Sequence, residues 1–252
     1  MLVIDSQLPY TIREMVRFRL FDIPISISPS LWLVLALLGG DLYMNSTADL
    51  LPVAIFVVAG FASLLVHELG HAVVGRTLGG GHPQIHMAWL GGVCHNPDGR
   101  WTRQEGIAMT AAGPLASLAL GTLAVAVLGL WLGDAQLGLR LAWAVIWPSG
   151  SHLSQGDIVY LASLNGGAFS LVAKIIWISF WWSALNLLPV YPLDGGQIMG
   201  GLMNSARKLH MCSLIVAIVC LLLSLFFHFL ELALFMLYFA IFNFRAMQAP
   251  SI

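Results

Sequence analysis

The stretch Leu65-Val66-His67-Glu68-Leu69-Gly70-His71 closes an apolar run that begins at Leu51 and carries no charge through Val66. Its length and composition read as a helix able to cross a bilayer, whose apolar core about 30 Å thick takes roughly 20 residues. His67 and His71 are four apart, so a helix sets both rings on one face, at the spacing one metal ion needs. Glu68 is adjacent. Ionisable side chains at membrane depth are costly and usually functional. The alternative, polar residues packed by chance between helices, would leave three ionisable groups in one membrane turn without compensation.

The rest of the chain agrees with a membrane setting. Of 252 residues, 59% are hydrophobic and 9% are charged, against about 25% charged in a soluble domain. A net charge of −1 supports no nucleic-acid partner. Cys94, Cys212 and Cys220 give no disulfide framework. No cleavable signal peptide is evident, and the first apolar run, from near Leu31, is expected to stay as an anchor. The fold class is therefore an α-helical polytopic membrane protein of about six spans: Ser30–Met44, Leu51–Val74, Gly106–Leu132, Phe169–Leu188, Met211–Phe227 and Leu230–Phe244. Ala112-Gly113-Pro114 predicts a kink or close helix contact. His228 and Glu231 mark a tight turn. Leu137–Trp147 suits an interfacial helix, and Ser149–Gly167 reads as an exposed loop. Phe18–Ser28 and Gln84–Cys94 carry period-two apolar residues and predict β-structure on one side of the membrane. One domain is expected over 1–252, with core helices about 51–74, 106–132 and 169–188.

Orientation follows from Lys and Arg. Arg13, Arg17, Arg19, Arg76, Arg100, Arg103, Arg207, Lys208 and Arg245 fall on one side, Arg140 alone on the other, and Lys174 within a span. The expectation is a multi-pass protein of the cell (inner) membrane, both termini and the β-structure cytoplasmic, Gly133–Ala168 outside.

His-Glu-x-x-His on a helix is the zinc metalloprotease signature. A catalytic zinc takes three protein ligands and leaves one open position. The helix supplies two, and spacing alone leaves the third open among Asp194, His82, His86, His95, Asp98 and Glu231. Asp194 follows the fourth span in Asn186-Leu-Leu-Pro-Val-Tyr-Pro-Leu-Asp-Gly-Gly196, where two prolines break the helix. Its competing reading is a helix N-cap, with Gln197 at the capping-box position.

Taken together, His67-Glu-Leu-Gly-His71, Ala112-Gly-Pro-Leu115 and Asn186–Gly196 resemble the site-2 protease family of intramembrane zinc metalloproteases. Ile23-Pro-Ile-Ser-Ile-Ser-Pro-Ser-Leu-Trp32 is similar to its N-terminal segment. The resemblance implies one Zn²⁺ per chain held by His67, His71 and Asp194, Glu68 as catalytic base, and Asn186 near the active site as an oxyanion donor. Asn186 also reads as a structural amide capping frayed carbonyls. The resemblance further implies a transmembrane protein or peptide substrate, unwound and held on a strand edge at Phe18–Ser28 or Gln84–Cys94. No stretch is long enough for the PDZ or CBS domains of some members, which leaves the mode of regulation open, a separate regulatory membrane protein being one candidate partner. Two other classes compete: a catalytically silent homologue that binds or retains membrane proteins, and a metal transporter. An intact Glu68 disfavours the first. The clustering of ionisable groups at one depth disfavours the second.

Overall fold

The computed structural model describes residues 16–40, 50–89, 91–147, 153–163 and 166–248. Among these, five helices are long and apolar enough to cross a membrane: α2 (Leu50–Gly79), α3 (Arg103–Leu132), α6 (Gly166–Asn186), α8 (Ala206–Phe226) and α9 (Leu230–Gln248). The chain is an α-helical polytopic membrane protein. Of the first expected span the described residues hold α1, Pro29–Gly39, with Ser28 as its N-cap, which at 11 residues is shorter than a span; positions 41–44 of Ser30–Met44 lie outside the described residues, as does Arg13. The interfacial helix is present as α4 (Ala135–Ile146), capped by Asp134. The stretch expected as a loop after it contains a helix, α5 (Gln155–Ser163). Asp157 holds its start by accepting from Ser154 N and pairing with Arg140 at 3.3 Å; the remainder of that stretch, 149–152 and 164–165, lies outside the described residues.

The two expected β-segments are each a hairpin. Phe18–Ser28 breaks at Phe21 and Asp22, both with positive φ, giving β1 (Val16–Leu20) and β2 (Ile23–Ile27). Gln84–Cys94 gives β3 (Gln84–Ala88) and β4 (Gly91–His95). They form one sheet in the order β1-β2-β3-β4, with β2 and β3 parallel and the outer pairs antiparallel. Alternation turns Ile23, Ile25, Ile27, Ile85 and Met87 to one face, where they pack on Leu31 and Leu35 of α1 and on Leu64 and Ala72 of α2. The sheet thus lies against the turns of α2 that carry His67, Glu68 and His71.

Helix α2 packs on α3 through small residues. A Cβ at Gly70 would reach the Ala116 side chain at 2.8 Å, so the two backbones approach as closely as glycine permits. A capping box of Thr102 and Glu105 starts α3, and Pro114 lies within it. The loop after α6 runs into α7 (Asp194–Leu202). Helices α8 and α9 form a hairpin that turns at His228, where φ is +61°.

Candidate metal and catalytic centre

His67, Glu68, His71 and Asp194 are all buried. The two imidazoles face α3. His71 Nδ1 lies 2.9 Å from the Met109 carbonyl, and His67 Nδ1 lies 3.1 Å from Ser117 Oγ. A carbonyl only accepts, so His71 Nδ1 carries the proton and the Nε2 of the neutral ring is a bare lone pair. The Ser117 hydroxyl can hold His67 in the same tautomer. Both Nε2 atoms then converge with one carboxylate oxygen. His67 Nε2 is 3.0 Å from Asp194 Oδ2, His71 Nε2 is 3.2 Å from His67 Nε2, and His71 Nε2 is 3.5 Å from Asp194 Oδ2.

Three lone pairs facing each other at those distances repel unless a cation or a shared proton lies among them. Tetrahedral zinc with ligands at 2.0–2.1 Å holds its donors about 3.3 Å apart. The observed 3.0, 3.2 and 3.5 Å bracket that value, so the donor set fits a zinc ion. Among the described residues this is the one group of His, Cys, Asp and Glu whose ligand atoms lie together, all within 4.8 Å.

Glu68 is one position after His67, so it points about 100° around the helix, toward β4 rather than α3. The Gly92 backbone amide is its hydrogen-bond partner. A Cβ at Gly92 would collide with the Glu68 carboxylate. Glycine here is therefore a matter of space. The carboxylate sits between the metal-ligand cluster and an edge strand. Cys94, on the same strand, remains a thiol: burial, with the charge of Glu68, pushes its pKa up to about 12.

Residues 55–230 match the model described as Peptidase family M50. This chain is a member of peptidase family M50. Zinc metalloprotease MJ0392 of Methanocaldococcus jannaschii is 22% identical over 187 residues, covering 74% of this chain and 44% of that protein. The Synechocystis protein sll0528 is 27% identical over 188 residues, covering 71% of this chain and 41% of its own length. This M50 chain thus spans less than half the length of these relatives. The solved site-2 protease from Methanocaldococcus jannaschii matches with a TM-score of 0.55 at 19% identity, over 94% of this chain and 97% of that one, which establishes a shared fold.

Among the six sequence candidates for a third donor beside His67 and His71, the M50 fold brings in Asp194 alone. His82 pairs with Asp98 at 3.4 Å on the exposed surface. His86 meets Ser26 Oγ at 2.9 Å. His95 is exposed at the end of β4, and Glu231 lines an apolar groove between helices. Asp194 is not an N-cap: Leu193 holds that position without a side-chain cap bond, and Gln197 donates to the Pro192 carbonyl. Asn186 ends α6, and its Nδ2 donates to Trp182 O at 2.9 Å. Among the described residues it makes no hydrogen bond to His67, Glu68, His71 or Asp194.

Sequence reasoning missed Ser117, Gly113 and Gly92. The sequence around Gly113 predicts a kink or close helix contact. Gly113 does pack, but its neighbour is the His71 ring: a Cβ there would overlap Nε2 and Cε1. Gly113 and Ser117 lie one turn apart, but nothing in the sequence says that their helix faces the histidines.

Proposed function

We propose that this chain is an intramembrane zinc metalloprotease that hydrolyses peptide bonds within or near transmembrane segments of membrane proteins. The observation that carries it is the convergence of His67, His71 and Asp194 beside Glu68, inside helices long enough to span a bilayer. The names of the M50 relatives support zinc as the metal, with His67, His71 and Asp194 as its ligands. A bound zinc supplies a Lewis acid, which acidifies water and polarises a carbonyl.

The chain's own residues do the rest. Glu68 takes the proton of the attacking water and returns it to the leaving amine. Ser117 and the Met109 carbonyl keep the imidazoles in the tautomer that presents Nε2. Asn186 supplies a donor for the developing oxyanion once its amide turns from Trp182. A substrate helix hides its peptide bonds in its own hydrogen bonds, so it must unwind. Among the described residues β4 is an outer strand of the sheet, and its edge next to Glu68 offers the released amides new partners. The clustering of Arg17, Arg19, Arg76, Arg100, Arg103, Arg207, Lys208 and Arg245 on one side supports a site in the cytoplasmic third of a cell membrane, with both termini cytoplasmic.

The deciding experiment compares wild type with Glu68→Gln, measuring cleavage of a membrane-anchored reporter and zinc content together. The variant should lose cleavage and keep about one zinc per chain, since a general base is not one of the three ligands. Near-normal turnover in Glu68→Gln would overturn the base assignment. A wild type without zinc and without cleavage would overturn the function.

A further inference from the structure

We propose that Asn243 and Ser213, on the α8–α9 hairpin, are positioning residues for Asp194: they clamp Tyr191, and Tyr191 sets where the carboxylate stands. The proposal rests on the reading of Asp194 as a zinc ligand.

Asp194 is delivered by the irregular loop between α6 and α7. Backbone groups of such a loop at membrane depth need protein partners. At Tyr191 both come from the hairpin. Its N–H donates to Ser213 Oγ at 3.0 Å, and its carbonyl accepts from Asn243 Nδ2 at 2.7 Å. Ser213 and Asn243 are each 0% exposed. The Asn243 amide has one allowed orientation. Its two nearest acceptors, the Tyr191 and Phe239 carbonyls, cannot donate, so Nδ2 faces both; Oδ1 then accepts from His210 Nδ1 at 2.8 Å.

The loop has no slack through which a displacement at Tyr191 could be absorbed. Val190 and Leu193 pack into the hairpin against Ala217, Met236, Phe239 and Ala240. On the far side of Asp194, a Cβ at Gly196 would overlap the Tyr191 amide nitrogen, and one at Gly195 would overlap the Leu187 carbonyl. Asp194 is therefore bracketed by backbone that touches backbone. Moving Tyr191 moves Gly196, and Asp194 lies between them. Nothing in α9 itself requires an asparagine here. An apolar residue would suit a membrane helix better, and the second N–H of Asn243 leaves its own helix to reach the loop.

The test is zinc affinity of the full chain in detergent, by competition with a chelator of known affinity, together with the visible spectrum of the Co²⁺-loaded protein. Asn243→Ala should bind zinc about 10-fold more weakly, the lower end of what outer-shell partners contribute, with shifted Co²⁺ bands. Ser213→Ala should change both readouts in the same direction and by less. Ser224→Ala is the control. It removes a buried hydroxyl from the same hairpin that, among the described residues, bonds its own helix at Cys220 O, and it should change neither readout. Should Asn243→Ala not fold, Ser213→Ala decides alone, since it deletes one oxygen. Wild-type affinity and spectrum in the clamp variants would overturn the clamp while leaving the metal reading intact. Equal losses in Ser224→Ala would also overturn it, by showing general loosening of the hairpin. A wild type that takes up no zinc would bring down the metal reading, and the clamp with it.

Discussion

Adding one methyl group at Gly113 should weaken metal binding without unfolding the helix. A Cβ at this position would lie 2.8 Å from His71 Cδ2 and closer still to Cε1 and Nε2, whereas ordinary contact begins at 3.4 Å. Cδ2 alone requires a retreat of about 0.6 Å, and the nearer Cε1 and Nε2 require about 1 Å. It cannot do so freely, because Nδ1 is tied to the Met109 carbonyl at 2.9 Å. A retreat of that size stretches this bond toward the limit of a hydrogen bond, or moves Nε2 out of the ±0.2 Å tolerance of a metal site. Either loss resembles removal of an outer-shell partner, which weakens metal affinity about 10–100-fold, or about 1.4–2.7 kcal/mol. The backbone effect has the opposite sign: alanine in a helix interior is favoured over glycine by about 1 kcal/mol. Gly113→Ala should therefore show a 10–100-fold rise in zinc dissociation constant by chelator competition, with little change in the melting temperature of the metal-free protein. Wild-type zinc affinity in this variant would show that the His71 ring does not lie over α3 at Gly113.

The mirror experiment is Gly92→Ala. Its Cβ would displace the Glu68 carboxylate and not the ligands, so cleavage should fall about 100-fold or more while zinc content stays near that of wild type; normal turnover would separate Glu68 from β4. For orientation, a cysteine at the exposed Gly156 of α5, in a chain with its three native cysteines replaced, should react with a membrane-impermeant maleimide from the outer side only. Labelling from the cytoplasmic side alone would invert the topology and move the centre to the other leaflet.

Much of this site was legible because its chemistry is conspicuous in a membrane helix. His67, Glu68 and His71 stand out against an uncharged run, and Asp194 stands out between helix breakers. The β-structure was legible as alternation but not as hairpins. Phe21-Asp22 turns the chain with positive φ at two residues that do not advertise it, where an Asn-Gly pair would have. Helix α5 was hidden because a serine-rich approach to Asp157 reads as loop, although Ser154 and Asp157 are in fact its capping pair. Gly92 and Gly113 were illegible for a different reason. A glycine that makes room for a catalytic side chain is defined by a neighbour far away in sequence, and nothing local distinguishes it from one that makes room for a helix.

Hydrophobicity could not have made that distinction, because in a bilayer the outer faces of helices are as apolar as the inner ones. What separates the faces is size and polarity. The buried residues of α2 include Ala59, Ser63, His67, His71 and Gly75, a helical stripe of small and polar side chains. On α3 the buried set includes Gly113, Ser117, Gly121 and Ala124, again one turn apart. The histidines are not an insertion into an apolar face; they continue the stripe by which α2 packs on α3. Ser63 opposite Ser179 of α6 belongs to the same stripe at 3.3 Å, one turn before His67. Small residues bring the backbones close, and that closeness puts Met109 O and Ser117 Oγ within reach of the two Nδ1 atoms. Helix packing and ligand orientation are therefore one structural feature. A substitution that widens the α2–α3 contact at Gly70, two turns from Ser63, should loosen the metal by the same route as one at Gly113.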